Sequence, residues 1–277
     1  SHGLEYLEKV AFMESVYNAK FKKLPDDFKV LSQEEISQFK TDPYASPWMP
    51  KQEKGIKPSN GLSYQLYADG VLNADKNAFG IRFESSDQVF GKKTLGSPFN
   101  VYAPGRYIHD ENGVAEFKDL RTWAFAVKPA DQVSAIWPLN NFENGIYHLR
   151  VYGPNGFFRE FKGSVFDPMI SIRCAYQQNM PQKLTGNIDL TLSNQSDSPM
   201  EIEVVDHSYG NPSIKRILAA SSKKTGKMIV SIQLSKQFGW YDFSVKVTGS
   251  DLFEKRYAGR VETGESGYSD PFMGRMI

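Results

Sequence analysis

The sequence predicts a mainly β protein: two tandem immunoglobulin-like β-sandwich domains behind a short helical leader and a Pro-rich linker. Three observations lead there. Apolar residues recur in fourteen short strand-like runs, nearly all with period two. Gly, Pro, Asn and Asp stand between the runs, as turn residues do. Residues of the runs from Ala135 to Val165 return in the runs from Val230 to Val261 at an offset that grows from 94 to 96. A chain of 277 residues is long enough for about two domains, each able to bury its own core. The 13% aromatic content, with 14 Tyr, suits the pleated surface of strands.

Composition excludes several function classes. Against 33 Lys+Arg stand 32 Asp+Glu, a net charge of +1, so there is no broad basic field and nucleic acid is not an expected partner. At 40% hydrophobic the chain is too apolar for disorder. Its longest apolar stretch, Trp123 to Val127, falls far short of the roughly 20 residues that span a bilayer. Cys174 is the one cysteine, which rules out an intrachain disulfide or a thiolate metal cluster. Ser1-His2 resembles a remnant of tag removal, and no secretory h-region follows it, so the natural N-terminus is expected further upstream.

Taken in order, Leu4 to Phe21 sets Tyr6, Val10, Met13 and Tyr17 at spacings of four, three and four, the stripe of an amphipathic helix ending before Pro25. Ser32-Gln33-Glu34-Glu35 is a capping box opening a second helix, with Leu31 and Ile36 as its hydrophobic staple and Pro43 beyond its end. Pro43, Pro47, Pro50 and Pro58 then fix φ repeatedly between Thr41 and Gly61 and withhold ladder donors, which reads as an extended linker. Two such helices cannot form a core alone, so residues 1–57 are expected to be the tail of a further domain.

The period-two runs Tyr64-Leu66, Phe79-Ile81-Phe83, Phe99-Val101-Ala103, Trp123-Phe125-Val127, Ala135-Trp137-Leu139, Tyr147-Leu149-Val151 and Phe157-Phe161 give the first sandwich, expected over residues 58–165. Ile170-Ile172, Ile188-Leu190-Leu192, Ile202-Val204, Ile214-Ile217, Val230-Ile232-Leu234, Tyr241-Phe243-Val245 and Phe253-Tyr257 give the second, over 166–265, with 266–277 as a C-terminal tail. The repetition reaches single residues. Gly145, Tyr147, Leu149, Val151, Gly153, Phe157, Phe161, Gly163 and Val165 return as Gly239, Tyr241, Phe243, Val245, Gly249, Phe253, Tyr257, Gly259 and Val261. Each module, about 100 residues long, should fold as a unit. Tyr147 and Tyr241 each precede a core position by two residues, the placement of a tyrosine corner whose hydroxyl ties back to a nearby backbone group.

The run Gly145-x-Tyr147-x-Leu149-x-Val151-x-Gly153-Pro154-Asn155-Gly156-Phe157-x-Arg159-x-Phe161-x-Gly163 resembles the repeated C-terminal domain of bacterial phosphocholine-specific phospholipases C. The downstream copy agrees: Asp206-x-x-Tyr209-Gly210, Gly239-Trp240-Tyr241-Asp242, Arg256-x-x-Gly259-Arg260-Val261-Glu262-Thr263-Gly264 and Ser269-Asp270-Pro271 look like the second repeat. The resemblance covers Pro58 to Gly274. It implies a parent enzyme whose large N-terminal domain, related to alkaline and acid phosphatases, cleaves phosphatidylcholine or sphingomyelin and releases phosphocholine. It also implies a periplasmic or secreted location, and that N-terminal catalytic domain as the partner of this chain. The family's metal-binding and nucleophile residues match no position here, so catalytic residues, metal ligands and cofactors are all expected to be none.

The remaining chemistry is sparse. His2, His109, His148 and His207 lie in separate segments, and Asp206-His207 lacks a nucleophile signature beside it. His148 reads as a solvent-facing strand residue. Gly91-Lys92-Lys93-Thr94 lacks the first glycine of a phosphate loop, Ser86 standing in that place. Asn73-x-Asp75-x-Asn77 with Glu84 imitates a calcium loop but has Ala78 where glycine makes the turn, and a β-turn explains it equally well. Lys215, Arg216, Lys223, Lys224 and Lys227 form either a solvated face or a contact for phospholipid head groups. Trp240 and Phe142, near matching turns of the modules, are candidates for an aromatic contact with lipid or choline, or for turn packing. The candidate lipid contacts are thus Trp240, Phe142, Lys223, Lys224 and Lys227.

The leading expectation is a non-catalytic C-terminal part of a phosphocholine-specific phospholipase C that supports or orients the catalytic domain at lipid, with a phospholipid surface as a second partner. A stand-alone ligand-, glycan- or membrane-binding sandwich is the alternative, since fold alone does not fix function. A self-contained hydrolase is the third.

Overall fold

The computed structural model describes residues 9, 10, 13, 30–42, 45–47 and 54–276, apart from 112, 113, 181 and 182. The chain divides into two compact units, Ser1–Gln52 and Glu53–Ile277. In the first, Lys9, Val10 and Met13 are helical, and the rest of the expected Leu4–Phe21 helix, with Tyr6 and Tyr17, lies outside the described residues. Helix α1 spans Gln33–Thr41. The Glu35 amide donates to Ser32 Oγ at 3.2 Å and the Ser32 amide to Glu35 Oε2 at 2.9 Å, so the capping box forms as the sequence predicts.

The second unit is mainly β. Its first half holds β1 (Pro58–Ser59), β2 (Leu66–Leu72), β3 (Ala78–Ser85), β4 (Ser97–Glu111), β5 (Val114–Val127), β6 (Asp131–Pro138), β7 (Tyr147–Tyr152) and β8 (Phe158–Gly163). The second half holds β9 (Ile170–Met180), β10 (Lys183–Asn194), β11 (Met200–Asp206), β12 (Ile214–Leu218), β13 (Lys227–Ile232), β14 (Trp240–Val247), β15 (Glu254–Arg260) and β16 (Gly267–Tyr268). Each half is a sandwich. The three-stranded sheet β2-β3-β6 covers β4, β5, β7 and β8, burying Phe79, Phe83, Phe99, Trp137, Tyr147 and Phe161. The sheet β9-β10-β13 likewise covers β11, β12, β14 and β15 over Ile188, Leu190, Leu192, Phe243, Val245 and Tyr257.

The two four-stranded sheets are one. β8 pairs antiparallel with β15, giving the continuous order β12-β11-β14-β15-β8-β7-β4-β5. The pairing register explains why the repeat offset matters. At offset 96 the equivalent of Glu160 is Arg256, and these two residues face each other across the seam. Each strand therefore pairs with its own equivalent around a pseudo-two-fold axis, the self-complementary arrangement of a symmetric dimer interface built into one chain. Equivalent loops consequently emerge at opposite ends. At one end, the apical end, stand the loops 73–77, 139–146, 164–169, 195–199, 219–226 and 248–253. At the other, the basal end, are 153–157, 233–239 and 261–266, joined by β1 and β16.

Pro58 and Ser59 fall inside the stretch read as linker yet form an edge strand with Tyr268 and Gly267. Pro58 is tolerated because it begins an edge strand, where no ladder donor is needed. The tail from 266 is likewise held: the Ser269 amide donates to Lys57 O at 2.8 Å and the Gly55 amide to Gly274 O at 2.9 Å. The hairpin of β4 and β5 extends well beyond the runs Phe99–Ala103 and Trp123–Val127, because the added residues, among them His109, Glu116, Lys118 and Asp119, satisfy their backbone in the ladder without burying a face.

Candidate functional site at the seam of the two repeats

The polar chemistry of the molecule concentrates where β8 meets β15. Alternation along β8 sends Arg159 inward with Phe161, and along β15 sends Lys255 inward with Tyr257. Arg159 and Lys255 are equivalents at offset 96, so each half places one cation inside the seam. Arg159 is 2% exposed. Its guanidinium lies 4.1 Å from the Phe157 ring centroid and 5.2 Å from that of Tyr257. It donates to Phe158 O at 2.8 Å, to Ala258 O at 3.0 Å and to the Tyr241 hydroxyl at 3.1 Å. Lys255, 3% exposed, donates from Nζ to Gly70 O at 2.7 Å. Burial pushes its ammonium down to about 8, against the opposing pull of Asp167 and Asp69.

The corner tyrosines reach this seam. Tyr241 Oη accepts from Arg159 of the other half, and Tyr147 Oη donates to the carboxylate of Asp167 in a short bond. Both hydroxyls therefore tie to charged side chains, a correction to the expected backbone tie. The seam brings Arg159 to the Tyr241 hydroxyl and the connection after β8 brings Asp167 to the Tyr147 hydroxyl, and bonds to such charged groups are stronger than bonds to a neutral carbonyl. Asp167 Oδ1 also accepts the Ser164 amide at 2.7 Å. Burial raises the Asp167 carboxyl and raises the Tyr147 hydroxyl well above its usual range. The repeated glycines serve the same ties: a Cβ at Gly163 would strike the Tyr147 hydroxyl and Asp167, and one at Gly259 would stand 3.1 Å from the Tyr241 hydroxyl. Tyr147→Phe and Tyr241→Phe should each lower stability by about 1–3 kcal/mol, because each leaves a buried charged partner unsatisfied. Thermal melting checks this, and an unchanged midpoint would remove the tie from the account.

On the open face, Glu160 gathers His148 Nε2 at 2.6 Å, Arg150 Nε at 2.7 Å and Lys162 Nζ at 3.6 Å. Burial opposes ionisation there, yet these donors bring the Glu160 carboxyl down to about 2. His148 faces outward as expected but is engaged with Glu160. Arg256 clasps Asp242 through two 2.7 Å bonds, and Lys162 reaches Glu254 at 3.2 Å. Alternating charge thus links strands of both halves across the axis.

The other sequence candidates are dispersed. Phe142 is 3% exposed and packs edge-on against Tyr107 at 5.0 Å, so it belongs to the first core and is unavailable to lipid. Trp240 is half-buried at the basal end, with Nε1 donating to Tyr268 O at 3.0 Å. The symmetry that places matching turns at opposite ends separates these two aromatics. Lys223, Lys224 and Lys227 are exposed on the apical loop 219–226 and the strand that follows it. Lys215 stands 3.8 Å from Glu203, and Arg216 donates to Lys215 O. Asp206 accepts from the amides of Ser208 and Tyr209 and from Asn211, shaping a turn, while His207 points to Ser244 Oγ at 2.9 Å. Asn73 Oδ1 accepts the amides of Asn77 and Ala78, so this oxygen closes the β2–β3 turn around Asp75. Among the described residues no three His, Cys, Asp or Glu gather as a metal site.

The model of the family "bacterial phospholipase C, C-terminal domain" matches residues 58–164 and 170–260. The chain belongs to this family. The first match runs from β1 to the end of β8 and the second from β9 to the end of β15. Three bacterial enzymes are similar. The non-hemolytic phospholipase C of Pseudomonas aeruginosa is 30% identical over 276 residues, covering 93% of this chain and 34% of that enzyme. The non-hemolytic phospholipase C of Burkholderia pseudomallei is 30% identical over 83% of this chain and 30% of the enzyme. The hemolytic phospholipase C of Pseudomonas aeruginosa is 28% identical over 83% and 31%. The chain therefore spans about a third of the length of these phospholipases C. Red sea bream transglutaminase aligns with 86% of the chain at 9% identity and a TM-score of 0.21, too slight a likeness to bear on function.

Proposed function

We propose that this phospholipase C C-terminal chain has no reaction of its own and serves a phosphocholine-specific phospholipase C, holding or orienting its N-terminal catalytic domain at phospholipid. One observation carries the reading. Four of the buried ionisable groups that could be the raw material of an active site are consumed in structural bonds: Arg159 and Lys255 join the repeats to each other, Glu160 holds His148 and Arg150 of its own repeat, and Asp167 holds Tyr147. Such chemistry makes a stiff scaffold. We infer from the family resemblance that the parent works outside the cytoplasm, secreted or periplasmic. Among the described residues no helix is long and apolar enough to cross a membrane.

The parent enzyme tests this. Removing residues 53–277 should leave hydrolysis of a soluble phosphocholine ester within about threefold and cut hydrolysis of vesicle-borne phosphatidylcholine by tenfold or more. Equal loss on both substrates, or phosphocholine release by this chain alone, would overturn it. One observation favours the glycan-binding alternative: Tyr102, Tyr152 and Arg150 line a shallow hollow of about 190 Å³ on the open sheet face. Binding to immobilised polysaccharide that is lost in Tyr152→Ala would favour that reading.

A further inference from the structure

The apical end carries an exposed apolar rim. Phe166 is 85% exposed, and Val165, Met169, Ile146 and Leu252 are exposed beside it. They come from three separate loops and from both repeats. Val165, Phe166, Ile146 and Leu252 border a groove of about 640 Å³, and Met169 borders the adjoining cavity, which shares Lys76 with the first. Other large apolar side chains are exposed elsewhere, among them Ile136, Ile217 and Ile229, but at the apical end five of them from three loops border one groove and its adjoining cavity.

Phe166 is held out in place. The Ser164 amide donates to Asp167 Oδ1, the Asp167 amide to Ser164 O at 3.1 Å, and the Phe166 amide to Ser164 Oγ at 3.2 Å. Tyr147, rooted in the first core, grips Asp167 from below. A turn fixed at four points cannot fold its phenyl ring back into the protein. Neighbouring loops are braced in series: the Gln195 amide donates to Met169 O at 2.8 Å and the Ser221 amide to Ser196 O at 2.8 Å. The basic loop with Lys223 and Lys224 thereby joins the same end.

Two further facts say what covers the rim. The chain enters this unit at its basal end, where Pro58 pairs with Tyr268 and the Lys57 carbonyl accepts the Ser269 amide. That entry point lies at the end opposite Phe166, with the seven residues of β15, roughly 20 Å, between the two. The rim is also mixed in charge: Lys76, Lys223 and Lys224 lie at the same end as Asp75, Asp197 and Asp251. An anionic surface gains little from such a mixture, whereas a zwitterionic one meets both signs.

We propose that the apical rim, with Phe166 and Leu252 at its centre, inserts into the head-group and acyl boundary of a zwitterionic phosphatidylcholine bilayer. This deepens the proposed function and rests on its placing of the parent enzyme at phospholipid. The rim adds apolar contact at the bilayer surface in the manner of an interfacial anchor, and the stiff seam transmits that fixed orientation to the basal end.

The test is co-flotation of the whole chain with phosphatidylcholine vesicles, with and without added phosphatidylserine, for the native sequence and for F166S, L252S and the double variant. Both side chains are exposed, so melting points should not change. The native chain should partition to phosphatidylcholine vesicles, the double variant about tenfold or more weakly, and phosphatidylserine should add less than about threefold. No partition of the native chain, or equal partition of the double variant, would overturn the assignment. So would a native dimer or higher oligomer that the double variant converts to monomer, since a second copy would then be the occupant. A parent enzyme that loses vesicle hydrolysis on removal of residues 53–277, yet keeps it in F166S/L252S, would leave the supporting role standing and end this one.

Discussion

Arg159→Ala is expected to cost about 3–5 kcal/mol of folding free energy, the largest single-residue effect outside the aromatic core. The guanidinium fills the space between the Phe157, Tyr241 and Tyr257 rings and supplies donors to two carbonyls and a hydroxyl. Alanine removes the filling and the donors together, leaving a cavity and a buried Tyr241 hydroxyl with no charged partner. Arg159→Met restores most of the volume without the donors and should lose about half as much. Urea denaturation gives the values from the shift in midpoint at constant slope. Because β8 and β15 share one ladder, the native unit from residue 53 should unfold in a single transition. A loss under 1 kcal/mol, or two separated transitions already present in the native protein, would show that the seam does not join the repeats energetically.

Lys255 should make the protein more stable as pH rises from about 8 to about 10. In the folded chain burial brings its ammonium down to about 8, whereas exposed in the unfolded chain it stays near the ordinary 10.5. Below pH 8 both states are protonated and the folded state carries the whole cost of an interior cation. Between 8 and 10.5 the folded lysine is neutral while the unfolded chain still binds the proton, so stability climbs with pH, by up to about 3 kcal/mol. The gain is cut off from above. Burial raises the hydroxyls of Tyr147, Tyr176 and Tyr257 well beyond 10 and that of Tyr241 to about 12. The unfolded chain therefore loses those protons first, and stability falls as pH passes 10. Lys255→Met should abolish the rise and stabilise the protein at neutral pH, since a well-packed apolar chain replaces a desolvated charge. Denaturation midpoints from pH 7 to 11 read both limbs; a flat profile between 8 and 10 in the native protein would sink this account of Lys255.

The period-two runs lie within or against strands, because a strand with one buried face must alternate and alternation survives in the sequence whatever packs on it. The capping box of α1 was equally legible, being a contact among residues three apart. What went unread had no local cause. β1 and β16 are two residues each and exist only because the chain's two extremities meet. The outer part of the β4–β5 hairpin buries Tyr107 but is otherwise mostly polar, so no periodicity marks it.

The seam residues show a signal that was present and unused. Arg159 stands in phase with Phe157 and Phe161, and Lys255 in phase with Phe253 and Tyr257, so alternation alone points both cations inward. An inward cation in each copy at the same offset marks a place where two copies must satisfy each other. Asp167 carried no such mark, since it belongs to the connection between the repeats and meets Tyr147 only after folding.

By itself the sequence determined the mainly β class, the family and the buried face of most of the period-two runs, properties that depend on spacing along one chain. Tertiary structure alone decided that β8 joins β15 about a two-fold axis. That choice sent matching turns to opposite ends, parted Phe142 from Trp240, and brought Phe166 and Leu252 together. The reason is physical: pairing between strands about 96 residues apart at the seam, Glu160 opposite Arg256, is fixed by backbone hydrogen bonds and charge complementarity that no local pattern encodes.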